Sequence, residues 1–199
     1  MLTTRILKEN EVNNYKALLH DIYSGLNWEP PKKNPSNWRI VNEGGRNIYH
    51  DNYDQVATFF GIFADSKLIG GCRILEPLHD KLEFELYYQI PDRFILQNRI
   101  EANRFSLLPD YLNSPAALVL WIKVLDHLLE RPAPPRIFLP VFSQEMIKLC
   151  SILGFQFVDR SSFFKYFPSD PNNCQLLFLD TNNREKVQEI INRCHLLVS

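Results

Sequence analysis

The chain has little that points to a nucleic acid, a membrane or a structural metal. Its 199 residues carry a net charge of −1, and the basic residues are scattered. Phosphate binding needs clustered Lys and Arg, so a broad nucleic-acid surface is argued against. No apolar run approaches the length of a bilayer span, and residues 1–10 lack the apolar centre of a secretory signal. A cytoplasmic protein without a membrane span is expected. Cys72, Cys150, Cys174 and Cys194 form no Cys-x-x-Cys pair, which argues against zinc and for reduced, buried thiols. No internal repeat or low-complexity tract interrupts the chain.

What is present is an ordinary globular composition, 45% hydrophobic and 23% charged, sized for one domain over residues 1–199. Residues 3–7 read as a strand. From Glu11, the spacing of Val12, Tyr15, Leu18, Leu19, Ile22 and Leu26 is helical. The Pro- and Gly-bearing stretch 30–45 reads as a loop. Residues 55–64 and 67–75 read as a hairpin turning on Asp65-Ser66, and 99–108 as a strand stopped by Pro109. Ser114 and Pro115 open a helix, 136–142 is a buried strand, and Ser143 caps a helix that stops at Gly154. Residues 155–167 and 174–180 read as strands and 184–197 as a closing helix. This is an α/β order with an antiparallel first half and a crossover through the central helix.

The segment RFSLLPDY at 104–111 resembles the strand and turn that precede the cofactor helix of the acetyltransferase superfamily. The glycine-rich cradle that should follow is replaced by Leu112, Asn113, Ser114, Pro115, Ala116 and Ala117, of which only Ala117 conforms. A proline there removes one N–H from a pyrophosphate site. The same loss is typical of autoinducer (acyl-homoserine-lactone) synthases, which the chain resembles further. Tyr23 and Trp28 match aromatics near the end of the first helix, Asp51 and Asp54 an Asp-x-x-Asp pair, Arg73 an Arg in a Gly-rich strand, and Glu101-Ala-Asn-Arg104-Phe105 a Glu-x-x-Arg-Phe motif. Leu19 and Tyr49 stand where that family has Arg and Glu, in the region that receives S-adenosylmethionine.

The resemblance implies the acetyltransferase (GNAT) fold, a mixed and mostly antiparallel sheet flanked by helices. It implies an N-acyltransferase that moves a medium or long fatty acyl group from an acyl carrier protein or acyl-CoA thioester to an amine, with no permanent cofactor and no metal. The two departures shift the acceptor toward an amino acid, a polyamine, or the Lys or ornithine side chain of a peptide. The alternatives are a true acyl-homoserine-lactone synthase and a non-catalytic acyl-binding protein of the same fold.

Amide formation needs a base, an oxyanion donor and an aligned acyl arm. Glu101, on a central strand, is the candidate base; a structural ion pair with Arg104 or Arg73 is the other reading. Glu101 and Arg104 share a face only if a β-bulge lies near residues 103–106. Such a bulge would free an N–H near Ser106 or Leu107 for the oxyanion. Phe105, Leu107, Leu108, Ser114, Ala117 and Phe142 are candidates for the pantetheine and acyl path. Tyr23, Trp28, Asp51, Asp54 and Arg73 are candidates for the acceptor, with Trp38 closing over it. His20 and Ser143 are lesser candidates for proton transfer. Lys123, Arg131 and Lys148 would form the basic patch for an acidic carrier protein.

Overall fold

The computed structural model describes residues 1–95, 98–167, 170 and 172–198. Strand β1 (Leu2–Ile6) leads into helix α1 (Glu9–Gly25), which buries Tyr15, Ala17 and Leu19. The expected loop ends at Trp38: β2 (Arg39–Glu43) and β3 (Arg46–His50) form a separate hairpin. Its turn is Gly44-Gly45, both at positive φ, so the glycines that read as loop are the tight turn of a hairpin.

Strands β4 (Ala57–Ala64) and β5 (Lys67–Leu75) pair through Asp65 and Ser66, again both at positive φ, as expected. Strand β6 (Arg99–Leu107) pairs antiparallel with β5, but the register breaks. Gly71 faces Ser106 and Arg73 faces Asn103, so Arg104 and Phe105 together oppose Cys72. This is the expected bulge. Arg104 sits at φ +54, a left-handed conformation that costs a non-glycine residue about 1–3 kcal/mol. The extra residue puts Arg104 among the acids beside Glu101. It leaves Phe105 stacked on Trp121 at 6.3 Å.

Beside the bulge, Gly71 is required by close approach. A Cβ there would lie 2.3 Å from the Phe60 carbonyl oxygen and 2.8 Å from the Tyr15 ring. Tyr15 donates its hydroxyl hydrogen to the Arg104 carbonyl. Gly71→Ala is therefore expected to lose about 1–3 kcal/mol of stability. A urea titration with an unchanged midpoint would contradict this packing.

Helix α2 (Ala116–Leu129) carries the chain across to β7 (Arg136–Val141), which runs parallel to β6. Pro115, not Ser114, occupies the cap position, while the Ser114 hydroxyl accepts from the Ala116 N–H at 3.2 Å. Pairing between β6 and β7 covers only Arg99, Ile100 and Glu101 against Arg136, Ile137 and Phe138. Past Glu101 the two strands share no ladder, and the sheet splays. Helix α3 (Gln144–Ile152) is capped by Ser143 and stops at Gly154, φ +80, as expected. Strands β8 (Gln156–Phe157) and β9 (Gln175–Asp180) and helix α4 (Arg184–Val198) follow.

The expected strand over 155–167 shrinks to β8 and a single bridge from Phe164 to Cys174. Phe164, Tyr166 and Phe167 bury their rings in the core instead, and that packing outweighs strand pairing. The seven-stranded sheet has the order β1-β4-β5-β6-β7-β9-β8. Trp121, Leu125, Cys150 and Ile191 fill one core cluster; Trp38, Phe84, Phe138 and Phe167 fill a second. All four cysteines are free and buried. Among the described residues, no helix is long and apolar enough to cross a membrane.

Candidate active site

The bulge gathers a buried charge network where β5 and β6 meet. Arg73, from β5, donates through Nη1 to both Asp51 oxygens, at 2.8 and 2.7 Å, and to Asp54 at 3.0 Å. Its Nη2 reaches Glu83 at 2.8 Å and its Nε reaches Asn103 at 2.9 Å. Arg104 donates through Nη2 to Glu83 at 2.8 Å and Asp51 at 3.2 Å. Lys16, from α1, closes the set on Asp54 at 2.7 Å. Asp51 caps the short turn Asn52–Val56 by accepting from the Tyr53 N–H, which fixes both carboxylates of the pair. Burial works against the charge on Asp51, but Arg73 and Arg104 outweigh it and hold its carboxyl below the ordinary range.

Glu101 is 0% exposed and stands at the mouth of the splay. Neither arginine touches it. Its Oε1 accepts from Asn103 Nδ2 at 2.9 Å and from the Tyr166 hydroxyl, and its Oε2 accepts from the Phe84 N–H at 3.0 Å. Three cations already balance Asp51, Asp54 and Glu83, so Glu101 is the surplus acid. Burial, and then the Glu83 carboxylate nearby, push its pKa up to about 7 against the hydrogen bonds that favour its charge. A carboxyl poised there can take and release a proton near neutral pH.

Over the network lies an aromatic cluster. The Trp28 and Trp38 rings are 4.6 Å apart, Tyr23 lies edge-on to both, and the Arg104 guanidinium sits 3.3 Å above the Trp38 ring. Trp28 is tied down through Nε1 to Asp170 at 3.0 Å.

Several solved structures are similar to the chain. FeeM, an N-acyl amino acid synthase from uncultured soil microbes, superposes with a TM-score of 0.62 at 18% identity, over 90% of this chain and 91% of that one. MesI, a CoA-dependent acyl-homoserine lactone synthase, gives 0.67 at 19%, over 98% and 95%. An acetyltransferase of the GNAT family from Streptococcus pneumoniae gives 0.58 at 12%, over 90% and 98%. The chain has the acetyltransferase fold. No protein-family model matches the sequence, and no curated protein does.

Within the acetyltransferase fold, the structure brings Asp51, Asp54, Arg73 and Arg104 into direct contact and joins Glu101 to them through Asn103. Tyr23 and Trp28 lie beside that group in the aromatic cluster. Leu107 and Ser106 are buried on β6 and Leu108 closes the strand on the Ile69 carbonyl at 2.8 Å. Phe105 and Ala117 pack on the α2 side. Phe142 falls just past β7, is 49% exposed and lies 6.2 Å from the Tyr166 ring. His20 packs on the Tyr49 ring at 5.4 Å, away from Glu101's partners. The Ser143 hydroxyl accepts from the Met146 N–H at 3.1 Å, so its cap role is filled. Arg131 pairs with Glu76 at 2.6 Å, and Lys148 is exposed.

Sequence reading missed Lys16, Glu83, Asn103 and Tyr166. Asn103 had a signal: it stands two residues from Glu101, on the same face of a strand. Glu83, Lys16 and Tyr166 reach the site from a 3₁₀ turn, the first helix and an irregular segment, and no spacing rule marks them.

Proposed function

We propose that this protein is an N-acyltransferase that moves a fatty acyl group from a carrier thioester to a primary amine. The observation that carries the reading is Glu101: a fully buried carboxyl at the opening of the β6–β7 splay, with its pKa near neutrality and a hydroxyl, Tyr166, on its reacting oxygen. FeeM and MesI, acyl-transferring proteins of the same fold, support it.

In this reading the acyl-pantetheine arm enters between β6 and β7, along Phe105 to Leu108, with Ser114 and Ala117 near its phosphate. The amine attacks the thioester carbonyl. The C–N bond forms, the oxyanion is held by a backbone N–H near Ser106, and the C–S bond breaks to release thiolate. The amine proton passes to Glu101, through the Tyr166 hydroxyl or a water. Arg104, Asp51, Asp54 and Arg73 shape the acceptor side, under Tyr23 and Trp28. The donor is an acyl carrier protein, whose single phosphate suits a helix start where Pro115 has no N–H. The enzyme works in the cytoplasm, where such donors are held.

The test follows thiol release from a series of acyl carrier protein and coenzyme A thioesters, with amines added one at a time. Release that depends on an amine other than S-adenosylmethionine, and is faster from the carrier protein, is expected. Release with S-adenosylmethionine alone would make the protein an acyl-homoserine-lactone synthase.

A further inference from the structure

Two buried aromatic donors beside the charge network are unspent. Trp38 Nε1 and the Tyr49 hydroxyl are shielded from solvent and have no hydrogen-bond partner among the described residues, in residues 4% and 3% exposed. Native folds leave few such groups, and each calls for an explanation. Both residues line one inner cavity of about 10 Å³, room for about one water-sized oxygen. The same wall carries Lys16, Arg73 and Arg104 with Asp51 and Asp54, and behind it Glu83 completes the charge balance of the two arginines. Arg104 spends Nη2 alone on its carboxylates, so the rest of its fork is open to a further acceptor. Two uncharged donors beside the Arg104 guanidinium present hydrogens and no anionic acceptor, so they fit an anionic oxygen and offer nothing to an ammonium.

An outer cavity of about 450 Å³, within the size range of ligand sites, shares Lys16, Asp54 and Phe59 with the inner one.

We propose that the Tyr49 hydroxyl and Trp38 Nε1–H, beside Arg104, bind a carboxylate of the acceptor, which is therefore a free α-amino acid and not the side chain of a peptide Lys or ornithine. The inference rests on the acyl-transfer reading above and selects between the acceptors that reading allows. A side-chain amine in a peptide has no carboxylate at α-amino distance, so it leaves both donors empty. A site built to pair buried donors rejects a ligand that leaves them unpaired.

The experiment measures two things for wild type, Tyr49→Phe and Trp38→Phe, using the common L-α-amino acids, ornithine and their carboxamides. The first is kcat/KM for acyl transfer; the second is equilibrium binding of each amine without donor, read by tryptophan fluorescence. Free amino acids are expected to exceed their carboxamides at least tenfold in both. Each variant is expected to shrink that preference about tenfold, because a hydrogen bond to a charged group is lost. Both variants keep an aromatic ring, and a thermal melt confirms that they fold. Equal use of acid and carboxamide, or a preference unmoved in both variants, overturns the carboxylate clamp while transfer itself stands. Should no amine be acylated, the acyl-transfer reading fails, and the binding arm still decides the clamp.

Discussion

Glu101→Gln is expected to lower kcat by about 10²–10⁴-fold, the usual worth of a positioned general base. The side chain keeps its shape, and its amide oxygen can still accept from Asn103 and Tyr166. Only the bond from the Phe84 N–H loses its acceptor, so the variant folds with a modest loss of stability. The pH profiles make the role specific. Wild-type kcat/KM should rise with pH and level off above about 7, as Glu101 gives up its proton. The residual rate of the variant should be flat across that range. Stability runs the other way. A folded pKa raised above the unfolded value gives stabilisation that is complete below the unfolded value and fades as pH climbs through about 7. Urea titrations of wild type between pH 5 and 8 should therefore show a decline of up to about 3 kcal/mol from this group, absent in the variant.

Arg73→Met is the change expected to damage the fold most. It strips partners from Asp51, Asp54 and Glu83 at once, and Asp51 and Glu83 are shielded from water. Breaking a buried ion pair on one side costs about 3–5 kcal/mol, because a charge is left without compensation. Arg73→Lys should recover only part of this, since an ammonium cannot serve three carboxylates and Asn103 through one planar fork. Thermal melts of the two variants and of the Arg73→Met, Asp51→Asn pair check it. The double variant should be more stable than Arg73→Met alone. A single variant that melts with wild type would mean the network contributes nothing to the fold.

The element order was legible wherever pattern and turn chemistry agreed. Asp65-Ser66 marked a hairpin, Ser143 and Gly154 bracketed a helix, and the bulge at Arg104 followed from asking how Glu101 and Arg104 could share a face. Reading failed where a short polar strand has no apolar period, as in β2 and β3, or where aromatic residues leave the sheet for the core, as Phe164 to Phe167 do. The site was half visible. Asp51, Asp54, Arg73, Glu101 and Arg104 stand in recognisable motifs. Glu83 completes the same network from a segment whose pattern fits neither helix nor strand, and Tyr166 reaches Glu101 from 65 residues away. Long-range partners of this kind leave no spacing to read.

The measurement that tests acyl transfer most directly is the mass of the product formed from an acyl thioester and an ¹⁵N-labelled amine. The account predicts an amide one acyl group heavier than the amine, retaining the label, with one thiol released per amide and neither formed by Glu101→Gln above its residual rate. Saturable binding of the acyl thioester by wild type, with no labelled amide from any amine, would contradict it and leave an acyl-binding protein on an acetyltransferase fold.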